Sequence, residues 1–306
     1  MTKQYTHLYD NYLIKSANSI MHDPFREFII NNDLFDPILT NKISVDVQDE
    51  FLELYPEWIK SSNLNKFKGI DKFPFKYVSL GVTQAIDDFV IWTLKQNKRL
   101  RVFRGEYGYV GQISFTDLNP RIDDTSLKIG DAVLISCPFS ATGNIHAKWD
   151  NLMDTCNSLN IPVFVDCAFF GTCTDIEVDF NHPCIDTVAF SPTKGLNCGN
   201  MRTGMTMTMR SGKDCILDIL KEWHHGIHLH TYIAYNLMKN FSPDTIPLTY
   251  RDIQQTVCDH YGLIPTNTIH LALGDDTWNY FNRENVVNRV CLRNAIYDYA
   301  NVGSLK

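Results

Sequence analysis

The sequence predicts an α/β protein in which helices cover both faces of a mainly parallel sheet, giving three layers, α/β/α. Three observations support this fold class. Short apolar runs alternate with segments of helical periodicity, the runs are apolar on both faces, and they are followed by polar residues or glycine. The composition agrees, because 44% of the 306 residues are hydrophobic and 21% are charged, which is typical of a globular chain.

Five short apolar runs are predicted to form the strands of the sheet: Tyr77–Gly81, Asp131–Ser136, Ile161–Asp166, Asp186–Ser191 and Gly204–Met209. Apolar residues at helical spacing follow the first run, over residues 86–94, and the second run, over residues 149–159. Ser211 is the predicted N-cap of a helix after the fifth run. The order of these elements predicts strands that alternate with covering helices.

The pattern loosens after residue 225. Helices are predicted over residues 232–240 and 251–261, and a strand over residues 288–292. We therefore expect a large domain over residues 46–230. Residues 1–45 and 231–306 are expected to form an N-terminal arm and a reduced smaller lobe.

Charge, apolar runs and cysteines exclude several classes of protein. The net charge is −7 with both signs interspersed and without a Lys/Arg run, so nucleic acid is not an expected partner. The longest apolar run is interrupted by Asp166 and is too short to span a membrane. Nine cysteines without a Cys-x-x-Cys pair, and an N-terminus without an apolar signal core, predict a cytoplasmic protein.

Two residues at predicted strand ends have side chains that suit covalent catalysis. Lys194 follows a buried strand in Phe190-Ser-Pro-Thr-Lys-Gly195, where loss of solvent would help its amine act as a nucleophile. Asp166 follows four apolar or small residues, and a poorly solvated carboxylate needs a cationic partner. Each residue alone has an ordinary alternative: a surface lysine, and an aspartate that caps the next helix.

Two further features suit an anion. Gly81-Val82-Thr83-Gln84 joins a strand to a helix, and the amides of such a turn, together with the helix dipole, attract negative charge. Arg202, eight residues after Lys194, has a planar guanidinium that could clamp a phosphate. An ordinary strand-to-helix turn and a surface arginine are the alternatives.

No metal site is predicted. His224 and His228 stand four residues apart in a histidine-rich stretch, but neither a third ligand nor a His-Glu-x-x-His motif accompanies them. Gly-x-Ser-x-Gly, the P-loop and Gly-x-Gly-x-x-Gly are also absent, so serine hydrolase, nucleotidase and dehydrogenase functions lose their usual motifs.

Taken together and in this order, the motifs resemble the class I/II aminotransferase family of fold type I enzymes that depend on pyridoxal 5'-phosphate (PLP). The resemblance covers about residues 75–210. Its four motifs are Gly81-Val-Thr-Gln-Ala85, Cys137-Pro-Phe-Ser-Ala-Thr-Gly143, Val163-Phe-Val-Asp-Cys-Ala-Phe169, and Ser191-Pro-Thr-Lys194 followed by Arg202 and Gly204. It implies the fold type I large domain, with PLP as the cofactor.

The resemblance also implies roles for single residues. Lys194 would form the Schiff base with the cofactor and then move the substrate proton, while Asp166 would pair with the pyridine nitrogen. Tyr107 would stack on the pyridine ring, with Tyr109 as the alternative. The phosphate would be held by four residues: Val82 and Thr83 through their backbone, Ser191 and Arg202.

The chain departs from the family pattern at two positions. Ser140 stands where the family has an asparagine, and Phe169 where it has a tyrosine. Both family residues bind the cofactor's phenolic oxygen; Ser140 could keep such a bond, but Phe169 cannot. The chain is also shorter than family members, with the loss in the smaller lobe. Arg289 is the candidate to bind the substrate carboxylate, with Arg293 as the alternative.

The predicted function is therefore a PLP-dependent aminotransferase that moves an amino group between an amino acid and a keto acid. The family's site lies at a subunit interface, so the resemblance implies a homodimer. The departures at Ser140 and Phe169 leave a PLP-dependent lyase or decarboxylase as an alternative. The shortened smaller lobe leaves a non-catalytic relative as another.

Overall fold

The computed structural model describes residues 6–9, 11–39, 43, 44, 46–113, 121–223 and 227–306. Its helices are α1 (Asp23–Asn31), α2 (Asp36–Leu39), α3 (Val47–Lys60), α4 (Gly81–Lys95), α5 (Tyr109–Ile113), α6 (Trp149–Leu159), α7 (Pro192–Gly195), α8 (Ile216–Glu222), α9 (His228–Asn240), α10 (Thr245–Tyr261) and α11 (Arg293–Val302). Short 3-10 helices cover Thr6–Leu8, Ile70–Lys72, Gly212–Asp214 and Asp276–Phe281.

The strands are β1 (Asn65–Lys68), β2 (Phe75–Ser79), β3 (Arg99–Arg101), β4 (Asp131–Ser136), β5 (Val163–Cys167), β6 (Ile176–Asp179), β7 (Ile185–Phe190), β8 (Gly204–Thr208), β9 (Ile264–Pro265), β10 (Leu271–Gly274), β11 (Asn282–Arg283) and β12 (Val287–Cys291). Six of them form the central sheet in the order β2-β8-β7-β5-β4-β3. Five run in one direction, and only β8 is antiparallel to its neighbours. The predicted mainly parallel α/β fold is confirmed.

Both faces of the central sheet are buried, which explains why its strands are apolar without alternation. Ala132 and Leu134 of β4 pack with α4 on one face. Val133 and Ile135 of the same strand belong to the core on the other face, together with α3 and α6. This arrangement gives the predicted three layers.

The parallel strands bring the chemistry-bearing residues to one edge of the sheet. Ser136 at the end of β4 pairs in register with Asp166 of β5, and Asp166 pairs with Ala189 of β7. Beyond the same edge, α4 begins at Gly81 and β8 begins at Gly204. Ligands bind at the carboxyl ends of strands in such sheets, so this edge is the place to look for a site.

A second sheet contains β11, β12, β10 and β9 in that order, and all its pairs are antiparallel. Helices α10 and α11 pack together beside it. Ile14 pairs with Cys291 of β12, so a segment near the N-terminus lies against this sheet. We propose that residues 1–45 and 231–306 form the reduced smaller lobe and an N-terminal arm, and residues 46–230 the large domain.

The predicted strands and helices differ from the observed ones mainly at their ends. The first predicted strand ends at Ser79 because Gly81 already begins α4, and the third continues to Cys167. Ser211 stands at the N-cap position, as predicted, but of the 3-10 helix Gly212–Asp214 and without a side-chain capping bond, while Cys215 stands at the N-cap of α8. Among the described residues, every helix is too short or too polar to cross a membrane.

Candidate active site

Lys194 lies on a one-turn helix whose position is fixed by Ser191. The Ser191 hydroxyl accepts a hydrogen bond from the Thr193 amide (3.3 Å) and donates one to the Thr203 carbonyl (2.9 Å). Pro192 suits the first helical turn because its missing N–H would have no partner there. Gly195 is required by packing, since a Cβ would lie 2.9 Å from the Gly171 Cα atom. Lys194 is therefore held, half-buried, just beyond the end of β7.

Asp166 and Lys194 influence each other electrostatically across neighbouring strand ends. Burial raises the pKa of the Asp166 carboxyl, and the Ala168 amide (2.8 Å) and the charge of Lys194 oppose this rise. Burial lowers the pKa of the Lys194 amine, which Asp166 opposes and Arg202 and Arg289 reinforce. The lowered pKa makes the neutral, nucleophilic amine more accessible near neutral pH. The predicted pair of amine and carboxylate is thus brought together.

Arg202 lies against the N-terminus of α4, where the sequence predicts an anion-binding turn. Arg202 Nη2 donates to the Thr83 hydroxyl (2.8 Å), and the first amides of the helix, which include those of Val82 and Thr83, have no acceptor within it. Gly81 has a positive φ of 71°, and a Cβ there would come within 3.0 Å of the Arg202 guanidinium. A bare backbone, helix amides and a guanidinium therefore converge, as a phosphate requires.

Tyr107 lies near both Asp166 and Arg202, the acidic and the basic residue of the site. Burial raises the pKa of its phenol, Asp166 raises it further, and Arg202 lowers it. The ring stacks on that of Tyr109 with centroids 5.9 Å apart, and its side chain remains 40% exposed. The Tyr109 hydroxyl instead donates to Asp87 of α4 (2.8 Å). These contacts favour Tyr107 over Tyr109 as a stacking partner for a bound ring.

Ser140 and Phe169, the two departures from the family pattern, are both buried in the site. Phe169 lies beneath Lys194, with the amine 5.0 Å from the ring centroid. The Ser140 amide donates to Ser136 Oγ (2.8 Å), and its carbonyl accepts from Arg289. The amine of Lys194 therefore lies over an apolar ring that has no hydrogen-bond donor.

Arg289 is buried on β12, and its positive charge helps to lower the pKa of Lys194. Its guanidinium donates to the carbonyl oxygens of Ser140 and Lys15 (2.8 Å for Lys15), while Nε has no partner among the described residues. Burial, and then the charge of Arg283, lower the pKa of Arg289 from its usual value. Arg293 instead bonds Asn294 at the start of α11 (2.9 Å). The arrangement favours Arg289 over Arg293 as the carboxylate ligand.

Sequence reasoning missed two buried residues at the site, Glu106 and His270. Glu106 was visible in the sequence as an acid beside Tyr107 in the loop after β3, but its partners were not. His270 stands in an apolar stretch, so no local signal marked it. Its ring lies edge-on to Phe169 with centroids 5.4 Å apart, and neither ring nitrogen has a partner among the described residues. Burial, then Lys194 and Arg289, lower the pKa of His270 well below its usual range.

No cluster of three or more metal-binding side chains occurs in the part of the chain that the structure describes. His228 is the first residue of α9, and His224 lies outside the described residues.

The residues of the site fit PLP. The bare turn at Gly81 with Arg202 suits its phosphate, and the buried Asp166 suits the charged nitrogen of its ring. The half-buried amine of Lys194 suits its aldehyde carbon. Arg289 Nε and both ring nitrogens of His270 are buried without a partner among the described residues.

Comparisons with known proteins agree with this fit. Residues 100–245 match the sequence model of the family described as aminotransferase class I and II. No curated protein matches the chain in sequence.

Several solved structures are similar to this one. An aromatic aminotransferase from Pyrococcus horikoshii OT3 has a TM-score of 0.65 at 11% identity, covering 95% of this chain and 92% of that one. An aminotransferase from Staphylococcus aureus has a TM-score of 0.61 at 12% identity, covering 93% and 90%. A PLP-bound C-S lyase from Staphylococcus hominis has a TM-score of 0.59 at 11% identity, covering 82% and 73%.

At these identities the structural likeness establishes the fold, and the family model adds the sequence relationship of the central region. PLP is accordingly the expected cofactor. The predicted resemblance is confirmed: the chain has the fold of the PLP-dependent class I and II aminotransferases and matches the model of that family over residues 100–245.

Proposed function

We propose that the protein is an aminotransferase that moves an amino group between an amino acid and a keto acid, with Lys194 as the residue that binds the cofactor covalently. The observation that carries this proposal is that the half-buried Lys194 amine is influenced electrostatically by the buried Asp166 carboxylate and by Arg202, which bonds Thr83 in the first turn of α4. An isolated surface lysine would have neither the burial nor these charged neighbours.

PLP supplies an aldehyde that reacts with an amine, and a ring that withdraws electrons from the substrate α-carbon when that carbon loses its proton. Asp166 would hold the positive charge of the ring nitrogen. Arg202, Ser191 and the amides of Val82 and Thr83 would bind the phosphate, and Tyr107 would cover one face of the ring. Their positions and charges support these roles.

Lys194 has two tasks in this proposal. Its Nζ atom would bind the aldehyde carbon of the cofactor and, when an amino donor has replaced it there, would carry a proton from the substrate α-carbon to the cofactor. A lowered pKa serves both tasks, because the amine must be able to lose a proton near neutral pH. Arg289 would bind the carboxylate of the substrate and so direct the α-carbon toward Lys194.

A lyase reaction on the same scaffold is the second candidate. Phe169 favours it, because the ring beneath Lys194 offers no hydrogen bond to the phenolic oxygen of the cofactor. One of the similar structures is a C-S lyase. A relative without catalytic activity is a third outcome of the experiment below.

The experiment incubates PLP-loaded protein with single amino acids, with and without an acceptor keto acid, and analyses the products. Transamination predicts a new amino acid that forms only when the acceptor is present. Ammonia released without an acceptor would contradict transamination and favour the lyase. PLP binding without any product would favour the non-catalytic relative.

We expect a homodimer in a cytoplasmic setting. Sedimentation analysis can test whether the protein is a dimer, as expected if the site lies at a subunit interface. All nine cysteines are buried and free of disulfides, which supports a reducing compartment.

A further inference from the structure

Glu106 is a buried carboxylate that has no role in the proposed function. It stands in the loop between β3 and α5 and is only 6% exposed. Its Oε2 atom accepts a hydrogen bond from the Ser136 amide (2.8 Å), and its Oε1 atom accepts from the Ser136 hydroxyl (2.5 Å) and the Tyr107 amide (2.7 Å). Burying a carboxylate costs free energy, so three hydrogen-bond donors around one buried acid indicate that the fold specifically accommodates its charge.

The hydrogen bonds continue from Glu106 to the far side of the site. Ser136 Oγ, which donates to Glu106, accepts from the Ser140 amide (2.8 Å). The Ser140 carbonyl in turn accepts from the Arg289 guanidinium. Glu106 is therefore bonded directly to the backbone of Tyr107 and, through two serines, to Arg289. One carboxylate joins the proposed ring-stacking residue to the proposed carboxylate ligand.

The charge of Glu106 is sensitive to pH near neutrality. Burial raises the pKa of its carboxyl to about 7; the hydrogen bonds from Ser136 and Tyr107 oppose the rise, and Asp166 of β5 adds to it. Arg283 of β11 also faces Glu106 electrostatically. All three bonds to Glu106 come from donors, so the ionised form can accept every one, whereas protonation removes an acceptor site or reverses the bond to Ser136.

We propose, building on the proposed function, that Glu106 is a positioning residue whose ionised carboxylate holds Tyr107 and Arg289 in place together. The side chain touches neither reactant in this proposal and acts through the two residues that do. Its ionisation makes the binding of cofactor and of substrate carboxylate stronger above neutral pH than below it. Glu106 lies outside the four motifs by which the chain resembles the family.

The test compares Glu106→Gln with Glu284→Gln in the full-length protein. Glutamine keeps the size of the side chain but replaces one acceptor oxygen with a donor. Glu284 is a matched control, because its carboxylate also accepts a backbone amide, that of Gly105 (2.9 Å), yet its side chain is 47% exposed. Circular dichroism and melting temperature establish that each variant folds. Glu106→Asp, which keeps the charge, serves as the conservative variant.

The first measurement is the dissociation constant of PLP from the protein, by absorbance, across neutral pH. The wild type should bind PLP about fivefold more tightly than Glu106→Gln at about pH 8, the effect of roughly one hydrogen bond, and the gap should close at about pH 6. Glu284→Gln should follow the wild type, and Glu106→Asp should keep the pH dependence. If wild type and Glu106→Gln share one pH profile, the positioning role is wrong, although the proposed function stands.

The second measurement is KM against kcat for an amino donor that the product analysis identifies. Glu106→Gln should raise KM about fivefold at about pH 8 with a smaller change in kcat, because Arg289 is displaced while Lys194 is not. Equal losses in kcat and kcat/KM would contradict a role through Arg289. A wild type that binds no PLP at any pH would overturn the proposed function, and this inference with it.

Discussion

The two sides of the candidate site differ in how they are built. The cofactor side, formed by Asp166, Lys194 and Arg202, lies at the edge of the six-stranded sheet, where Asp166 accepts from Ala168 and Arg202 donates to Thr83. The substrate side, formed by Arg289 and His270 beside the four-stranded sheet, contains three buried polar atoms without a partner among the described residues. The side chains of Asp166 and Arg202 thus have partners within the fold, whereas the buried, unpartnered atoms of Arg289 and His270 are those that a bound ligand would satisfy in our proposal.

The largest expected effect is on the cofactor side. Lys194→Ala should abolish the visible absorbance of bound PLP and lower the turnover rate about 10³-fold or more, because the nucleophile and the proton carrier are lost together. The measurement is an absorption spectrum followed by an assay with donor and acceptor. Lys95→Ala, at the end of α4, is the matched control and should behave as the wild type. Equal spectra for the wild type and Lys194→Ala would end the assignment.

On the substrate side, Arg289→Lys should raise KM for the amino donor about 10- to 100-fold, the effect of one or two charge-assisted hydrogen bonds. PLP binding should change little, because the cofactor side is intact. Arg293→Lys makes the same change at the alternative residue and should leave KM within about twofold of the wild type. Steady-state kinetics decide between the two arginines, and a larger effect at Arg293 would reverse the assignment.

A third substitution tests Phe169, which contacts both Lys194 and His270. Phe169→Tyr adds a hydroxyl beneath Lys194, which could donate to the phenolic oxygen of the cofactor. It should then lower the pH midpoint of the bound cofactor's visible absorbance by about one unit, the equivalent of one hydrogen bond. Phe170→Tyr, at the neighbouring buried ring, controls for the added hydroxyl. A midpoint that rises or stays fixed would mean that position 169 does not face the cofactor.

The smallest expected effect tests the unpartnered imidazole of His270. His270→Leu should leave the free energy of unfolding unchanged or raise it by up to about 1 kcal/mol, because an unsatisfied buried polar group is removed. His22→Leu should cost about 1 kcal/mol, since His22 Nδ1 bonds the Tyr250 hydroxyl (3.0 Å). Denaturant unfolding of the cofactor-free protein measures both. A loss at His270 as large as that at His22 would mean that the imidazole already has a partner.

The same variant has a pH signature. The folded-state pKa of His270 is depressed, so the unfolded chain binds protons that the folded chain does not. Wild-type stability should therefore fall as pH drops below the usual histidine value of 6.5, and His270→Leu should lose less over that window.

The cofactor side could be predicted from the sequence because each of its parts is a local pattern. Lys194 and Asp166 each follow an apolar run, and the ends of parallel strands meet at one edge whatever the details of the loops. Strand ends were misplaced by only one or two residues, as at Gly81, where a positive φ lets the helix begin early.

The substrate side could be predicted less well because its contacts join distant parts of the chain. His270 contacts the ring of Phe169 and is affected by the charge of Lys194, and both residues are distant from it in sequence. Glu106 accepts a hydrogen bond from Ser136, which is also distant from it in sequence. Arg289 was predicted from the resemblance of its strand to the arginine-containing strand of the family. Its bonds to Ser140 and Lys15 depend on how the N-terminal segment lies against β12.

The most direct test of the central claim is to locate the cofactor on the chain. Protein loaded with PLP is reduced with sodium borohydride, digested, and analysed by peptide mass spectrometry. We expect a pyridoxyl group on the peptide that contains Lys194, and none on the corresponding peptide of Lys194→Ala. A label on a different lysine, equally present in both proteins, would contradict the assignment of Lys194 and the function built on it.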